Sequence, residues 1–119
     1  MDERFEKLFG FIPRLKDEST DYDQLIDEYI RDAHAFVVEN PEYELDDYGK
    51  ILEENGIRWG QRPIEEADVS KLDAKACLGL LTAAWRADRI NEGALLGFMK
   101  SGAILKWLER LKELQENEE

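Results

Sequence analysis

The sequence is poor in the residues that build covalent or metal-bound centres. One cysteine, Cys77, and one histidine, His34, stand among 119 residues. A disulfide within the chain and a zinc or haem site made of clustered Cys and His are therefore excluded, and no cofactor is expected. Cys77 lies among Leu and Ala, which predicts a buried core thiol. No serine or cysteine is placed to pair with His34 in nucleophilic catalysis.

Long apolar runs and targeting features are lacking as well. No run approaches the roughly 18 apolar residues of a membrane-spanning helix. The first residues are acidic and interrupted by charge, unlike a signal peptide. With one cysteine, the chain suits a reducing compartment. We therefore expect a cytoplasmic protein with no membrane contact.

Positive charge is scarce, and its shortage is uneven. The net charge is −12. Residues 1–67 carry 19 acidic and 8 basic residues, a net of −11, whereas residues 68–119 carry 9 and 8, a net of −1. A negative field repels nucleic-acid phosphates and anionic lipid, so direct nucleic-acid binding is not expected. The acidity would suit a basic partner, but solubility alone explains it and is the favoured interpretation.

Motifs that hold phosphates or metals are missing or incomplete. The sequence has no phosphate-binding glycine loop and no basic patch with interleaved aromatics. Glu39-x-x-Glu42 followed by Glu65-x-x-Asp68 matches the spacing by which all-α nucleotide pyrophosphohydrolases hold magnesium. That chemistry needs each pair on one helical face. Pro41 interrupts the first pair and the second lies in a loop-like segment, so no metal site is predicted.

What the sequence does have is helical periodicity, and it predicts an all-α fold of five or six helices. One domain is expected over 1–115, with an acidic, frayed tail at 116–119. An apolar connector is expected after Gly10, and a connecting loop with one turn starting at Pro63 is expected over 58–69. The first three predicted helices are 2–9 with Asp2 as N-cap, 20–39 with Thr20 as N-cap and Asn40–Pro41 as its end, and 44–55, which ends at Gly56. The last three are 70–89 with Ser70 as N-cap, a short helix capped by Asn91, and a helix that follows Gly102 and runs to 115.

The helix at about 70–89 is predicted to be central. Its Ala, Leu and Cys residues leave no polar face over three turns, and a helix that is apolar all round is buried. The two helices within 91–115 are expected to fold back on it as a helical hairpin. This stretch therefore organises the predicted core.

A polar elbow, Arg86–Gly93, joins the central helix to that hairpin. Arg86 and Arg89 are three residues apart and project from nearby positions. Glu92 and Gly93 begin the next helix, where free N–H groups attract anions. Two guanidinium groups beside such an end could bind a carboxylate or a phosphate. The structural alternative is favoured: arginines complement a helix C-terminus, and Asp88 and Glu92 can pair with them.

The same stretch carries a family resemblance. A family of small, mostly bacterial proteins of unknown function has a C-terminal signature that resembles three runs of this chain: Leu81-Thr-Ala-x-x-Arg86-x-Asp88-Arg89-Ile90-x-x-Gly93-x-Leu95, Gly102-x-Ile104-Leu105, and Leu108-x-Arg110-Leu111-Lys112-Glu113-Leu114. The resemblance spans roughly 45–115 and includes Tyr48–Ile57. The family often has phenylalanine at the position of Ile90 and glutamate at that of Asp88. It implies a recurring structural unit and no activity.

Three function classes stay open. The first is a non-enzymatic protein-binding or regulatory module, acting on a protein partner or as a homodimer, because Trp59, Trp107 and Phe98 exceed what a small core buries. The second is an acidic nucleic-acid mimic that occupies a basic partner, which needs rows of carboxylates. The third is a small-anion binder or enzyme, which needs a pocket with an elbow arginine at its wall. The sequence favours the first and leans against an enzyme.

Overall fold

The computed structural model describes residues 3–117, and these form helices without any strand. The all-α prediction is confirmed. Short 3₁₀ turns lie at Glu3–Phe5, Pro41–Tyr43, Leu45–Asp47 and Val69–Lys71. The α-helices in chain order are α1 (Glu6–Phe9), α2 (Phe11–Lys16), α3 (Tyr22–Glu39), α4 (Tyr48–Glu54), α5 (Gln61–Glu65), α6 (Ala74–Ile90), α7 (Ala94–Lys100) and α8 (Ala103–Asn117).

Helix α6 is the central helix, as predicted, and packs against α3, α4, α7 and α8. Every residue from Ala76 to Trp85 is buried. Small and aliphatic side chains surround the axis here, so neighbouring helices cover it on all sides. The Tyr29 hydroxyl of α3 donates to the Leu81 carbonyl at 2.7 Å, which gives this buried phenol an acceptor.

The N-caps predicted for α3 and α6 are wrong. Asp21, not Thr20, caps α3, and its carboxylate accepts two backbone N–H groups of the first turn at 3.1 and 3.3 Å. Asp73, not Ser70, caps α6 with one such bond at 2.8 Å. In both cases an aspartate lies closer to the helix and its charged oxygen is the stronger acceptor. The cap predicted at Asp2 lies outside the described residues.

The connector expected after Gly10 is also helical. Gly10 has an ordinary right-handed φ of −62°, so α2 follows α1 directly. Pro13 falls in the first turn of α2, where its missing N–H leaves no hydrogen bond unmade. This turn buries Phe11 and Ile12. Glycine and proline thus redirect the chain here without ending its helical conformation.

The segment between α4 and α6 combines a predicted turn with an unpredicted helix. The predicted glycine C-cap of α4 is confirmed: Gly56 has φ +71°, and the N–H groups of Gly56 and Ile57 donate back into the last turn at 3.0 and 2.9 Å. Helix α5 begins at Gln61, before the single turn expected at Pro63, and buries Ile64.

Helices α7 and α8 form the predicted C-terminal hairpin. Gly102, with φ +86°, separates them. The hairpin closes over Phe98 and Trp107, whose ring centroids lie 5.8 Å apart. Helix α8 continues to Asn117, and Glu118 and Glu119 of the expected tail lie outside the described residues. Within 3–117, no helix combines the length and the apolar content needed to cross a membrane.

Candidate functional site

An uncharged cavity of about 210 Å³ opens where α5, α6 and α7 meet. We call it the Trp59 pocket. The segment before α6 contributes one wall, and the C-terminal end of α6 with α7 contributes the other. The chain is 37% charged, yet no charged side chain lines this cavity. Its lining residues are Trp59, Gly60, Gln61, Ile64, Ala87, Ile90, Asn91, Ala94 and Phe98.

Two exposed apolar side chains share this pocket. Trp59 is 52% exposed and Ile90 is 83% exposed; Val38 is the third large apolar residue exposed within the described chain, and it lies outside the pocket. Phe98 and Trp107 are buried. The expectation that the core would leave Trp59, Trp107 and Phe98 unburied is therefore wrong for the last two, because the α7–α8 hairpin encloses them.

The backbone on either side of Trp59 explains its exposure. Gly56 and Gly60 have φ values of +71° and +140°, conformations that a residue with a Cβ rarely adopts. The chain therefore turns sharply before and after Trp59. The ring of Tyr48 in α4 lies 5.7 Å from the Trp59 ring, centroid to centroid, and supports it from one side. Trp59 also lines a second, open hollow that includes Gly49, so it separates two cavities.

The floor of the pocket depends on a close approach between α5 and α7. Ile64 and Phe98 are buried there. The Gln61 amide donates to Glu65 Oε1 at 3.1 Å, and a Cβ at position 97 would lie 2.6 Å from Gln61 Nε2. Gly97 therefore lets the amide pack directly against α7.

An exposed arginine precedes each of the two exposed apolar residues: Arg58 precedes Trp59, and Arg89 precedes Ile90. Neither arginine has a carboxylate within ion-pair distance in the described part of the chain. Each of the two exposed apolar residues therefore follows, in sequence, an arginine without a carboxylate partner among the described residues.

The polar elbow lies next to the pocket, but its backbone is arranged differently from the prediction. The N–H groups of Gly93 and Leu95 each donate to Asp88 Oδ1 at 3.1 Å. Gly93, with φ +95°, is the residue at the start of α7, so the predicted Asn91 cap is wrong. Asp88 takes two of the N–H groups that an external anion would use, because an aspartate five residues upstream reaches back to this turn.

The elbow arginines converge on Trp85 rather than on the pocket. The guanidinium carbons of Arg86 and Arg89 lie 4.6 and 5.1 Å from the Trp85 ring centroid, and Arg86 also pairs with Asp46 at 2.9 Å. Glu92 is exposed. The pocket takes Ala87, Ile90 and Asn91 from α6 and its end, one helical face away from Arg86 and Arg89. Anion binding at the elbow stays a prediction.

Two buried donors near the elbow lack acceptors in the described residues: Trp85 Nε1 and Arg86 Nε. The exposed His34 ring of α3 lies 5.3 Å from the Trp85 ring. Trp85 itself is buried and lines none of the cavities described here. The cluster therefore holds the end of α6 against α3 without forming a concave site.

The other residues singled out from the sequence have structural positions. Cys77 is buried, as predicted, and burial raises the pKa of its thiol to about 12. Glu42 pairs with Arg4 at 2.7 Å, and the Ser70 hydroxyl and N–H lower the pKa of Asp68. Over 3–117, no three His, Cys, Asp or Glu side chains group as a metal site.

Sequence reasoning missed Ile90, Asn91 and Gln61 as pocket residues. The sequence did contain a signal for the pocket wall that α6 and α7 form. Ala87 and Ala94 are small residues on either side of Ile90, and this pattern leaves a hollow beside a large side chain. Without the position of Trp59 opposite, the hollow could not be recognised as a pocket.

Comparison with known proteins assigns the chain to a family but gives it no activity. A family model described as a family of unknown function (DUF6508) matches residues 1–117. No curated protein and no solved structure matches the chain significantly. The match extends beyond the resemblance at roughly 45–115 and includes the N-terminal helices.

Proposed function

We propose, on the premise that the chain belongs to the DUF6508 family, that it is a non-enzymatic protein-interaction module. In this proposal the Trp59 pocket receives one apolar side chain of a protein partner. One observation carries it: two of the large apolar residues that the fold leaves exposed, Trp59 and Ile90, line the same uncharged cavity.

The size and chemistry of the pocket favour side-chain recognition over catalysis. A volume of about 210 Å³ is below the roughly 300–1,000 Å³ of typical small-molecule sites, but it suits a single aliphatic or aromatic side chain. The wall offers no titratable group for acid–base work. Its polar groups include the amides of Gln61 and Asn91, which can bond to a partner backbone.

The expected affinity is modest. Burying one large apolar side chain contributes about 1.5–3 kcal/mol, and tryptophan is among the residues that most often dominate interface energies. Trp59 and the incoming side chain together would supply most of the binding energy. The remaining contacts would mainly exclude water.

A second candidate is small-anion binding at the elbow. Arg89 has no carboxylate partner in the described chain, and the buried Nε of Arg86 lacks an acceptor. Against it, Asp88 already occupies the N–H groups of Gly93 and Leu95. Nothing among the described residues favours the acidic-mimic alternative.

Selection of a phage-displayed random peptide library on the immobilised full chain tests the proposed function. Peptides with one dominant apolar side chain should be enriched on the wild type and lost on Trp59→Ala and Ile90→Ala. Val38→Ala is the matched control, since it also removes an exposed apolar side chain but lies outside the pocket. Circular dichroism checks that each variant is folded.

Two results would contradict the proposed function. One is enrichment that is the same on wild type and on Trp59→Ala; the other is no enrichment at all on the wild type. Phosphate or citrate titrations followed by NMR test the second candidate. Shifts confined to the amides around Arg86, Arg89 and Gly93, and abolished by Arg89→Ala, would support anion binding at the elbow.

A further inference from the structure

Residues 61–71, the last part of the connection between α4 and α6, are held to the molecule by little apolar area. We call them the strap. They contain α5, the turn after it and the 3₁₀ turn Val69–Lys71. Ile64 is the one fully buried side chain of the strap, and Val69 is half-buried against the core. By contrast, α6 buries every residue from Ala76 to Trp85. Few buried apolar contacts are typical of a segment that opens locally.

One side chain supplies both hydrogen bonds that join the strap to another helix of the described chain. Lys106 Nζ of α8 donates to the Glu65 carbonyl at 2.8 Å and to the Ala67 carbonyl at 3.2 Å. Both carbonyls lie at or just beyond the end of α5, where a helix leaves C=O groups without intrahelical partners. The other side-chain hydrogen bonds of the strap stay within it: Gln61–Glu65, Arg62–Glu66 and Ser70–Asp68. Lys106 therefore holds the strap against α8.

The backbone on either side of the strap is held independently of Lys106. Before it, the Ile57 N–H donates to the Leu52 carbonyl at 2.9 Å, which fixes the chain to the end of α4. After it, Arg110 of α8 donates twice to the Leu72 carbonyl, at 3.2 Å each. Gly60 precedes the strap with φ +140°, and a glycine can leave such a conformation at little steric cost. Movement can therefore be confined to the strap, with Gly60 as the hinge.

Open space borders the strap on several sides. A groove of about 620 Å³ lies between residues 66–70 and α8. A hollow of about 490 Å³ lies between the strap and residues 55–58 at the end of α4. The Trp59 pocket lies where the strap meets α6 and α7. The strap is thus loosely packed, and its displacement breaks few contacts.

We propose that the strap is a hinged wall of the Trp59 pocket, that Lys106 latches it, and that it opens as a unit while the packed helices stay closed. Gln61 and Ile64 of the strap line this pocket together with Ala94 and Phe98 of α7. When Lys106 releases the two carbonyls, the wall moves and the pocket widens beyond its closed volume of about 210 Å³. Opening takes place in the free chain and needs no partner, so it goes beyond the proposed function.

Amide hydrogen exchange of the free full chain, resolved by residue with NMR, tests this motion. In the wild type, the hydrogen-bonded amides of Ile64, Glu66 and Ala67 should exchange about tenfold faster than those in the buried part of α6. Their exchange should also depend less on added urea, because opening of the strap exposes less surface than unfolding of the whole chain.

Lys106→Met tests the latch, since it keeps the apolar length of the side chain and removes its donors. It should raise the exchange of all three strap amides by a common factor of about ten. Lys112→Met is the matched control: Lys112 is half-buried on the same helix but donates to no carbonyl of the strap, so the rates should stay within about twofold. Ile64→Val, which trims the apolar anchor, gives a second test and should raise all three rates about threefold.

Two exchange results would overturn the proposal. One is exchange of the strap amides at the rate and with the urea dependence of α6, which would mean that the strap has no opening of its own. The other is strap exchange in Lys106→Met within about twofold of the wild type, which would mean that Lys106 is not the latch.

The widening of the pocket has a separate readout. N-Phenyl-1-naphthylamine is an uncharged probe with three aromatic rings, larger than one side chain, and it fluoresces in apolar surroundings. If the probe needs the open strap, Lys106→Met should bind it about tenfold more tightly than the wild type, because the binding-competent fraction rises by that factor. Equal affinity in both, or no binding to either, would overturn the assignment of the strap as a pocket wall. Neither result depends on the peptide selection that tests the proposed function.

Discussion

Trp107 and Trp59 carry the same side chain into opposite environments. Trp107 lies on α8 three residues after Ile104 and four before Leu111, and the fold buries all three. Trp59 lies between two positive-φ glycines in a segment without helical periodicity, and about half of it stays exposed. A tryptophan within an apolar stripe belongs to the core, whereas one outside any stripe is available for a partner.

The largest expected effect is the difference in stability between variants of these two tryptophans. Trp107→Ala should lower the free energy of unfolding by about 3–5 kcal/mol, because it opens a large cavity in a closed core. Trp59→Ala should cost about 1 kcal/mol or less, since much of its surface already contacts water. Urea unfolding followed by circular dichroism measures both. Equal costs for the two variants would contradict the assignment of Trp59 to a binding surface.

The next effect tests how tightly the interior is packed, using two helical glycines. A Cβ at Gly79 of α6 would lie 2.9 Å from Ile51 Cγ2, whereas one at Gly49 of α4 would meet no atom within 4 Å. Gly79→Ala should therefore destabilise by about 1–3 kcal/mol through overpacking. Gly49→Ala should stabilise by about 0.5–1 kcal/mol through helix propensity. The same unfolding assay decides, and a stabilising Gly79→Ala would show that α4 and α6 are less tightly packed than described.

The smallest effect concerns the elbow beside the pocket. Asp88→Ala removes the acceptor of the Gly93 and Leu95 N–H groups and should cost about 1 kcal/mol. Glu92→Ala, which removes an exposed carboxylate four residues further on, should stay within about 0.5 kcal/mol. Amide hydrogen exchange at Gly93 and Leu95 gives a local readout: protection should fall in Asp88→Ala alone. Unchanged protection would mean that Asp88 does not cap α7.

Much of the fold could be predicted because it depends on local periodicity. The apolar run of α6, the end of α3 before Asn40–Pro41, and the glycine turns at Gly56 and Gly102 all follow from neighbouring residues. The caps of α3, α6 and α7 were harder, since several polar residues compete within a few positions for the same N–H groups. Asp73 and Ser70, for example, both fit the preference for an N-cap, and only the chain path decides between them.

The candidate site was less predictable because it joins residues that are distant in sequence. The elbow was recognised from Arg86 and Arg89, but the cavity formed on the neighbouring face of α6, opposite Trp59. Whether an arginine has a carboxylate partner also depends on distant residues, as in the Arg86–Asp46 pair. Arg58 and Arg89 could therefore not be distinguished from the other six arginines by sequence alone.

The sequence by itself determined that this chain is helical, that α6 is buried and that Cys77 is a core thiol, because each depends on the residues within one or two helical turns. The tertiary structure alone decided that Phe98 and Trp107 are enclosed, that Trp59 and Ile90 line one cavity, and that Arg58 and Arg89 have no carboxylate partner among the residues 3–117. These features depend on which helix surfaces pack together across the fold, because that packing determines which side chains are buried and which form ion pairs.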